Sequence, residues 1–313
     1  MTEKEEKQIV CVTGASGIVG SRIVHCLLRQ GYTVRALTRK KGFVFSGVGM
    51  FYGDISDESV LKSFLNGASL LFHCAAELND ASKMWRLNVL ATKRILELAE
   101  LAGIKYFCYL SSVGVTGSTN LKLVDELSPC NPQNMYERSK WAAEQLVARG
   151  IQGCKVVILR PTNVVDEEKP GIMSLALRGS WIDFCKVFLT GGECAHIVHV
   201  EDVAEAAVYF ISRPVGTPQC YIVSYDHELL NTFSGLWALY DAYRAKRSFD
   251  VVRPVAHLPL CVPYVLRRII RGTGNKGDVR YSSKKLMETG FVFKLGLLGA
   301  VSRIASASGY RAV

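Results

Sequence analysis

Short runs of β-branched and aromatic residues alternate with longer stretches of helical periodicity through the first half of the chain. That alternation marks a parallel sheet built from βαβ units. Ile9 to Thr13, Thr33 to Leu37, Leu70 to Cys74, Tyr106 to Leu110 and Lys155 to Leu159 are the predicted strands. Val19 to Gln30, Ser59 to Asn66, Met84 to Ala102 and Tyr136 to Arg149 are the predicted helices, with Asp57 as an N-cap and Gly103 as a C-cap. The count suits an α/β fold with a doubly wound sheet. After Pro161 the elements shorten, punctuated by Pro170-Gly171, Gly191-Gly192 and residues 214–218. Residues 1–165 are therefore expected to form the main domain and 166–313 mainly a smaller one. A strand and helix within His196 to Ile211 are expected to bring 196–212 back to the first. No internal repeat or low-complexity tract appears.

Composition narrows the class. With 313 residues, 49% of them hydrophobic, the chain can bury a sizeable core. The charged start runs straight into Ile9-Val10 with no apolar leader, so the expectation is a cytoplasmic protein whose mature form begins near Met1. Ten cysteines lie scattered without a C-x-x-C pair, which predicts reduced core residues rather than a disulfide framework. The formal charge of +10 favours an anionic partner. Its Lys and Arg residues are spread rather than gathered in a stripe, so small anions are expected and nucleic acid is not. The apolar segment Leu258 to Leu266, followed by Arg267, Arg268 and Arg271, is expected to be a buried helix of the smaller domain, with a peripheral membrane contact as the less favoured alternative.

The stretch Thr13-Gly14-Ala15-Ser16-Gly17-Ile18-Val19-Gly20 follows an apolar strand and opens a helical pattern, the setting that a dinucleotide-binding turn requires. Gly14 permits the tight turn, Gly17 lets backbone approach a pyrophosphate, and Gly20 lets helix pack on strand. At the end of the second strand an acidic residue would accept from an adenosine ribose and a basic one would meet a 2′-phosphate. Thr38-Arg39-Lys40-Lys41 stands there, so Arg39 favours NADP over NAD. Asp54 is placed to accept from the adenine amino group or to shape a turn.

Tyr136 and Lys140 lie four apart in a helical segment and project from one face. A free phenol is a poor base near neutrality, and an ammonium beside it would lower its pKa. Ser111-Ser112 follows the fourth strand, where a hydroxyl can bond the reacting oxygen.

These motifs, together with Asp54-Ile55, His73-Cys74-Ala75-Ala76, Asn88-Val89, Arg160-Pro161-Thr162-Asn163 and His199-Val200-Glu201-Asp202-Val203, resemble those of the extended short-chain dehydrogenases/reductases, in the NAD-dependent epimerase/dehydratase group. The resemblance runs from about Ile9 to Asp202. It implies a Rossmann-type sheet with a smaller C-terminal substrate-binding domain. It also implies Ser112 as the hydroxyl, Tyr136 as general acid/base, and Lys140 as pKa modulator and ribose ligand. Gly14, Ser16, Gly17, Ile18, Gly20, Arg39, Asp54, Ile55, Ala75, Ala76 and Pro161 would line the cofactor beside Tyr136 and Lys140. Asn88 would support the lysine helix. Asn163 and Arg178 are the candidate substrate contacts. A homodimer is implied, through the two long helices, whose apolar residues Leu96, Ala99, Trp141 and Leu146 could equally face the sheet.

Departures from the family pattern limit the reaction. Dehydratases usually carry an Asp-Glu pair after the hydroxyl; Val113-Gly114 stands here, which disfavours elimination of water. Thr116-Gly117 replaces the usual Tyr-Gly, and Val164-Val165-Asp166-Glu167 the common Tyr-Gly-Pro. The six histidines show no metal-ligand spacing, and no G-x-S-x-G elbow is present. The leading expectation is a nucleotide-sugar epimerase or reductase. The alternatives are a ketone/alcohol oxidoreductase of the 3-beta-hydroxysteroid dehydrogenase/dihydroflavonol reductase type and a non-catalytic dinucleotide-binding sensor.

Overall fold

The structure is a computed structural model that describes residues 8–214, 216, 218–271 and 277–308. In chain order the first half holds β1 (Ile9–Thr13), α1 (Ile18–Arg29), β2 (Thr33–Thr38), β3 (Gly49–Tyr52), α2 (Glu58–Leu65), β4 (Leu70–His73), α3 (Ala81–Met84), α4 (Ala91–Leu101), β5 (Tyr106–Leu110), β6 (Leu123–Val124), α5 (Met135–Val147) and β7 (Lys155–Pro161). There follow β8 (Asn163–Val165), α6 (Ser174–Arg178), α7 (Trp181–Thr190), β9 (Ile197–His199), α8 (Val200–Tyr209), β10 (Gln219–Val223), α9 (Phe233–Arg244), α10 (Cys261–Arg271), β11 (Arg280–Tyr281), α11 (Lys284–Glu288) and α12 (Gly296–Ser308).

Seven strands form one sheet in the order β10-β7-β5-β4-β1-β2-β3, and the pairings from β3 through β7 are parallel. The chain winds outward from β1 in both directions, so the reversal of strand order falls between β1 and β4. In open α/β sheets that crevice, at the carboxyl ends of the strands, is where ligands bind. The sheet's central strands read Val10-Cys11-Val12 and Leu71-Phe72 because both of their faces are covered by helices. One buried cluster joins Leu61 and Phe64 of α2, Ile95 and Leu98 of α4, Ala143 and Val147 of α5, and the sheet residues Phe107 and Ile158.

Two compact units make up the chain. The first comprises residues 1–117, 130–160 and 203–221 and holds nearly all of the main sheet. The second comprises 118–129, 161–202 and 222–313, with two small parallel ribbons, β8–β9 and β6–β11, and the helices α6, α7 and α9 to α12. A small core there gathers Ala176, Val187, Trp237, Tyr240 and Ala305.

The structure departs from the sequence pattern in three places. Gly49–Tyr52 and Gln219–Val223 are strands at the two edges of the main sheet that the pattern did not separate from loop. The predicted strand within His196 to Ile211 pairs with β8 rather than with the main sheet, and the helix that follows is α8. The predicted helix Met84 to Ala102 is interrupted by a π-helical turn, Trp85–Leu90, between α3 and α4.

Candidate active site

The turn after β1 is built so that only glycine fits. Gly14 has φ +66, and a Cβ on it would stand 2.6 Å from the Ala75 nitrogen. A Cβ on Gly20 would fall 2.3 Å from the Gly14 oxygen, well inside contact distance. The turn thus lies flat against the residue that follows β4, and α1 packs directly on it. Gly17 caps α1 with no side-chain acceptor and no acid in the first turn, leaving the helix's positive end open to an anion. Ser16 Oγ hydrogen-bonds Thr38 Oγ1 at 2.8 Å, which brings the turn to the end of β2, where Arg39 is more than half exposed. Arg39 Nη2 stands 3.6 Å from Glu77 Oε2. Ile55 is buried and Ala76 half-buried. The Asp54 carboxylate accepts from Ser56 N at 2.8 Å and Ser56 Oγ at 2.6 Å. Burial raises its pKa, but these bonds and the Arg39 charge outweigh that and hold it below the usual range.

Tyr136 enters on the first turn of α5. Asn134 and Glu137 form a reciprocal capping box there, with Asn134 Oδ1 accepting from Glu137 N at 2.9 Å, which fixes where the helix starts. Ser112 lies within hydrogen-bonding reach of the Tyr136 phenol. The Gly114 N–H donates to Ser112 Oγ at 3.0 Å, which occupies one lone pair and leaves the serine proton free to be donated. Burial is the larger influence and pushes the Tyr136 pKa up; the Ser112 bond offsets this only in part. The phenol therefore holds its proton at neutral pH.

Lys140, one turn on, is buried. Its Nζ donates to the Leu110 carbonyl at 2.6 Å and sits 4.3 Å from the centroid of the Tyr109 ring. Burial pulls its pKa down to about 8, against the opposing pull of Glu144. The ammonium is thus engaged with β5.

A directional hydrogen-bond chain ties the glycine turn to this helix. Thr92 Oγ1 donates to Asn88 O at 2.7 Å, so it must accept from His73 Nε2, 2.9 Å away. The other ring nitrogen then accepts from Thr13 Oγ1 at 2.7 Å, and Thr13 in turn accepts from Ala75 N at 3.3 Å. Burial lowers the His73 pKa to about 3, so the ring is neutral, as the chain requires. Asn88, on the π-helical turn, donates from Nδ2 to Ser139 Oγ at 2.9 Å, and Ser139 Oγ donates to Tyr136 O at 2.8 Å. The same amide pairs both ways with the Glu77 backbone, accepting at 2.7 Å and donating at 3.0 Å.

Behind Lys140, Glu144 forms a buried pair with Arg160, Nη2 to Oε1 at 2.5 Å, and accepts from Ser111 Oγ at 2.5 Å. Nothing in the sequence pattern singled out this pair. An acid on the buried face of a helix, matched by an arginine at the end of a strand, was the available signal.

Residues 10–223 match the NAD dependent epimerase/dehydratase family. The chain belongs to that family. Among curated relatives, sterol demethylase protein B of Methylococcus capsulatus is 31% identical over 166 residues, covering 49% of this chain and 51% of that protein. The N-acetyl-alpha-D-glucosaminyl-diphospho-ditrans,octacis-undecaprenol 4-epimerase of Escherichia coli O157:H7 is 29% identical over 170 residues, covering 52% and 50%. The chain spans about half the length of the curated relatives it first matches. The solved UDP-glucose 4-epimerase of Thermotoga maritima with UDP-glucose superposes with TM-score 0.72 at 20% identity, over 97% of this chain and 99% of that one, a likeness of fold.

Within the family frame, the remaining residues singled out from sequence divide by unit. Gly14 to Gly20, Arg39, Asp54, Ala75, Ser112, Tyr136 and Lys140 all belong to the first unit; Pro161, Asn163 and Arg178 belong to the second. Pro161 is buried at the end of β7. Asn163 uses its amide on the Ala195 carbonyl at 3.0 Å. Arg178 spends its fork on Asp183, with Nη2 to Oδ1 at 2.8 Å and Nε to Oδ2 at 3.1 Å, and so anchors the corner between α6 and α7. His199 Nδ1 accepts from Glu201 N at 3.2 Å, a packing arrangement within a buried turn. Of the four apolar residues named on the two long helices, Ala99 is fully buried and Leu96 packs against the core, while Trp141 and Leu146 are half-buried.

Proposed function

We propose that the chain is an NAD(P)-dependent epimerase or reductase of nucleotide sugars, with Tyr136 moving the proton, Ser112 holding the reacting oxygen and Lys140 holding the cofactor's ribose. The observation that carries the reading is Ser112 within hydrogen-bonding reach of Tyr136, with Lys140 one turn away, and a turn after β1 in which a Cβ on Gly14 or Gly20 would collide with backbone. A dinucleotide fits the polar groups present: the open amino end of α1 at Gly17 for the pyrophosphate, Ser16 and Arg39 for the adenosine ribose, Asp54 as acceptor for the adenine amino group, and Ala75 alongside. When bound, the nicotinamide supplies or accepts the hydride, and in its oxidised form adds a positive charge that favours the phenolate.

In the reductive direction Tyr136 donates its proton to the substrate oxygen while Ser112 donates a hydrogen bond to the same atom. The Gly114 N–H fills one lone pair of Ser112 Oγ and leaves the serine proton available for that bond. Two faces of the Lys140 ammonium are engaged by Leu110 and Tyr109, and the third donor is assigned to a ribose hydroxyl. The buried, proton-holding phenol suits donation more directly than abstraction. Arg39 favours NADP, and Arg39→Ser is expected to cut the preference for NADPH over NADH about tenfold. The long helices α4 and α5 are the proposed pairing face of a homodimer, checked by light scattering.

The sterol-acting relative favours a second reading in which the substrate is an apolar ketone or alcohol. Incubation with a panel of nucleotide sugars and of sterol-like ketones, each with NADPH or NADP, separates the two. Epimerised or reduced sugar supports the first reading. NADPH oxidation by the ketones alone selects the second, and turnover of neither contradicts the catalytic reading.

A further inference from the structure

In the second unit, α7 and α10 adjoin. The Leu258 N–H, just ahead of α10, donates to the Phe188 carbonyl of α7 at 2.8 Å, and Arg267 of α10 pairs at 2.6 Å with Glu193, just past α7. Both helices are amphipathic, and both carry the apolar side outward. On α7, Asp183 and Val187 are buried while Trp181 is 76% exposed, with Ile182 and Phe188 also open to solvent. On α10, Pro263 is buried and Arg267 faces Glu193, whereas Val265, Leu266 and Ile269 are exposed, Ile269 at 76%. A helix packed on a globular core does the reverse and buries its apolar stripe. Soluble monomers rarely leave apolar side chains gathered in this way unless something covers them.

The charge around the patch indicates what that something is. Lys186 on α7 and Arg268 on α10 are exposed beside the apolar residues. The acid on α7 and the one just past it are matched by cations, Asp183 by Arg178 and Lys186 together and Glu193 by Arg267, so the rim keeps an excess of positive charge. The formal charge of the whole chain is +10. Exposed tryptophan, outward aliphatic residues and a cationic rim are the combination that seats a helix at an anionic bilayer's headgroup level. A purely apolar protein partner would account for the aliphatic residues and leave the rim without a purpose. At 11 residues α10 is about half the length needed to cross a bilayer, and no helix among the described residues is long and apolar enough to do so.

We propose that the α7–α10 face docks on an anionic phospholipid surface, with α10 lying in the plane of the headgroups. The proposal is independent of which substrate the enzyme takes. Flotation of the full chain with phosphatidylcholine vesicles, with and without about one third phosphatidylglycerol, tests it. Wild type is expected to float with the anionic vesicles, less with the neutral ones, and to be released by high salt. Trp181→Ser and Ile269→Ser should each lower the partition about tenfold, and Arg268→Ser about fivefold. All three sites are exposed, and circular dichroism verifies that each variant is folded. Failure of wild type to float with anionic vesicles overturns the proposal, as does equal flotation of the Trp181→Ser/Ile269→Ser double variant. It is overturned equally if wild type is a dimer that this double variant makes monomeric, since a second copy then covers the face.

Discussion

Replacing Glu144 by glutamine tests whether the helix that carries Tyr136 and Lys140 is anchored by charge. Glu144 and Arg160 side chains are 3% and 4% exposed, and Arg160 Nη1 has no hydrogen-bond partner among the described residues. The substitution keeps the shape and the Ser111 contact and removes the negative charge, leaving a guanidinium nearly out of water with no counter-ion. Breaking one side of a buried pair costs about 3–5 kcal/mol, and the amide oxygen retained by glutamine places this case near the lower figure. Urea unfolding measures it, and tryptophan fluorescence is a local probe because Arg160 lies 5.8 Å from the centroid of the Trp141 ring. Removing both charges with Glu144→Leu/Arg160→Met is expected to return stability to within about 1 kcal/mol of wild type, since paired burial is close to neutral. A Glu144→Gln protein within about 0.5 kcal/mol of wild type would refute the reasoning. So would a double variant as unstable as the single one.

Other expectations follow from the same geometry. Gly20→Ala forces a Cβ to 2.3 Å from the Gly14 oxygen and should weaken NADPH binding by at least about a hundredfold, read by nicotinamide fluorescence. His73→Leu strips partners from the Thr13 and Thr92 hydroxyls, an expected loss of about 2–3 kcal/mol by urea unfolding, with weaker cofactor binding because Thr13 adjoins Gly14. Lys140 gives a pH signature: its folded pKa, lowered to about 8, lies below the unfolded value, so the unfolded chain binds more protons between the two and stability rises with pH in that window. Relative to Lys140→Met, wild type should gain about 2 kcal/mol between about pH 7.5 and 9.5 in paired urea titrations; a flat difference would contradict the burial of a charged amine.

The parallel sheet was legible because its central strands are covered on both faces and so read as unbroken apolar runs, Val10-Cys11-Val12 and Leu70-Leu71-Phe72 among them. The edges were not. Gly49–Tyr52 is four residues long, in a glycine-rich stretch, with no fully buried side chain, and Gln219–Val223 follows directly on a proline-punctuated loop. The glycine turn was legible because steric demand leaves no alternative residue at Gly14 and Gly20. The nearness of Tyr136 to Lys140 follows from helix geometry alone, whereas the direction in which Lys140 points depends on the Leu110 carbonyl and the Tyr109 ring, far away in sequence. The π-helical turn at Asn88 and the Glu144–Arg160 pair arise from tertiary contacts that periodicity does not encode. The same limit applies to α10: amphipathic spacing says which residues share a face, and only packing says that the apolar face looks outward.

Tyr136→Phe removes a single oxygen from the reacting centre and leaves the glycine turn, Lys140 and the capping box untouched. Single-turnover hydride transfer, with the substrate identified from the panel and the cofactor in the form that substrate requires (NADPH for a ketone, NADP for an alcohol), then isolates the proton step. A rate about 10²–10⁴ lower in the variant, with NADPH affinity unchanged, is the predicted result. Hydride transfer at the wild-type rate in Tyr136→Phe would contradict the assignment of the phenol as proton carrier.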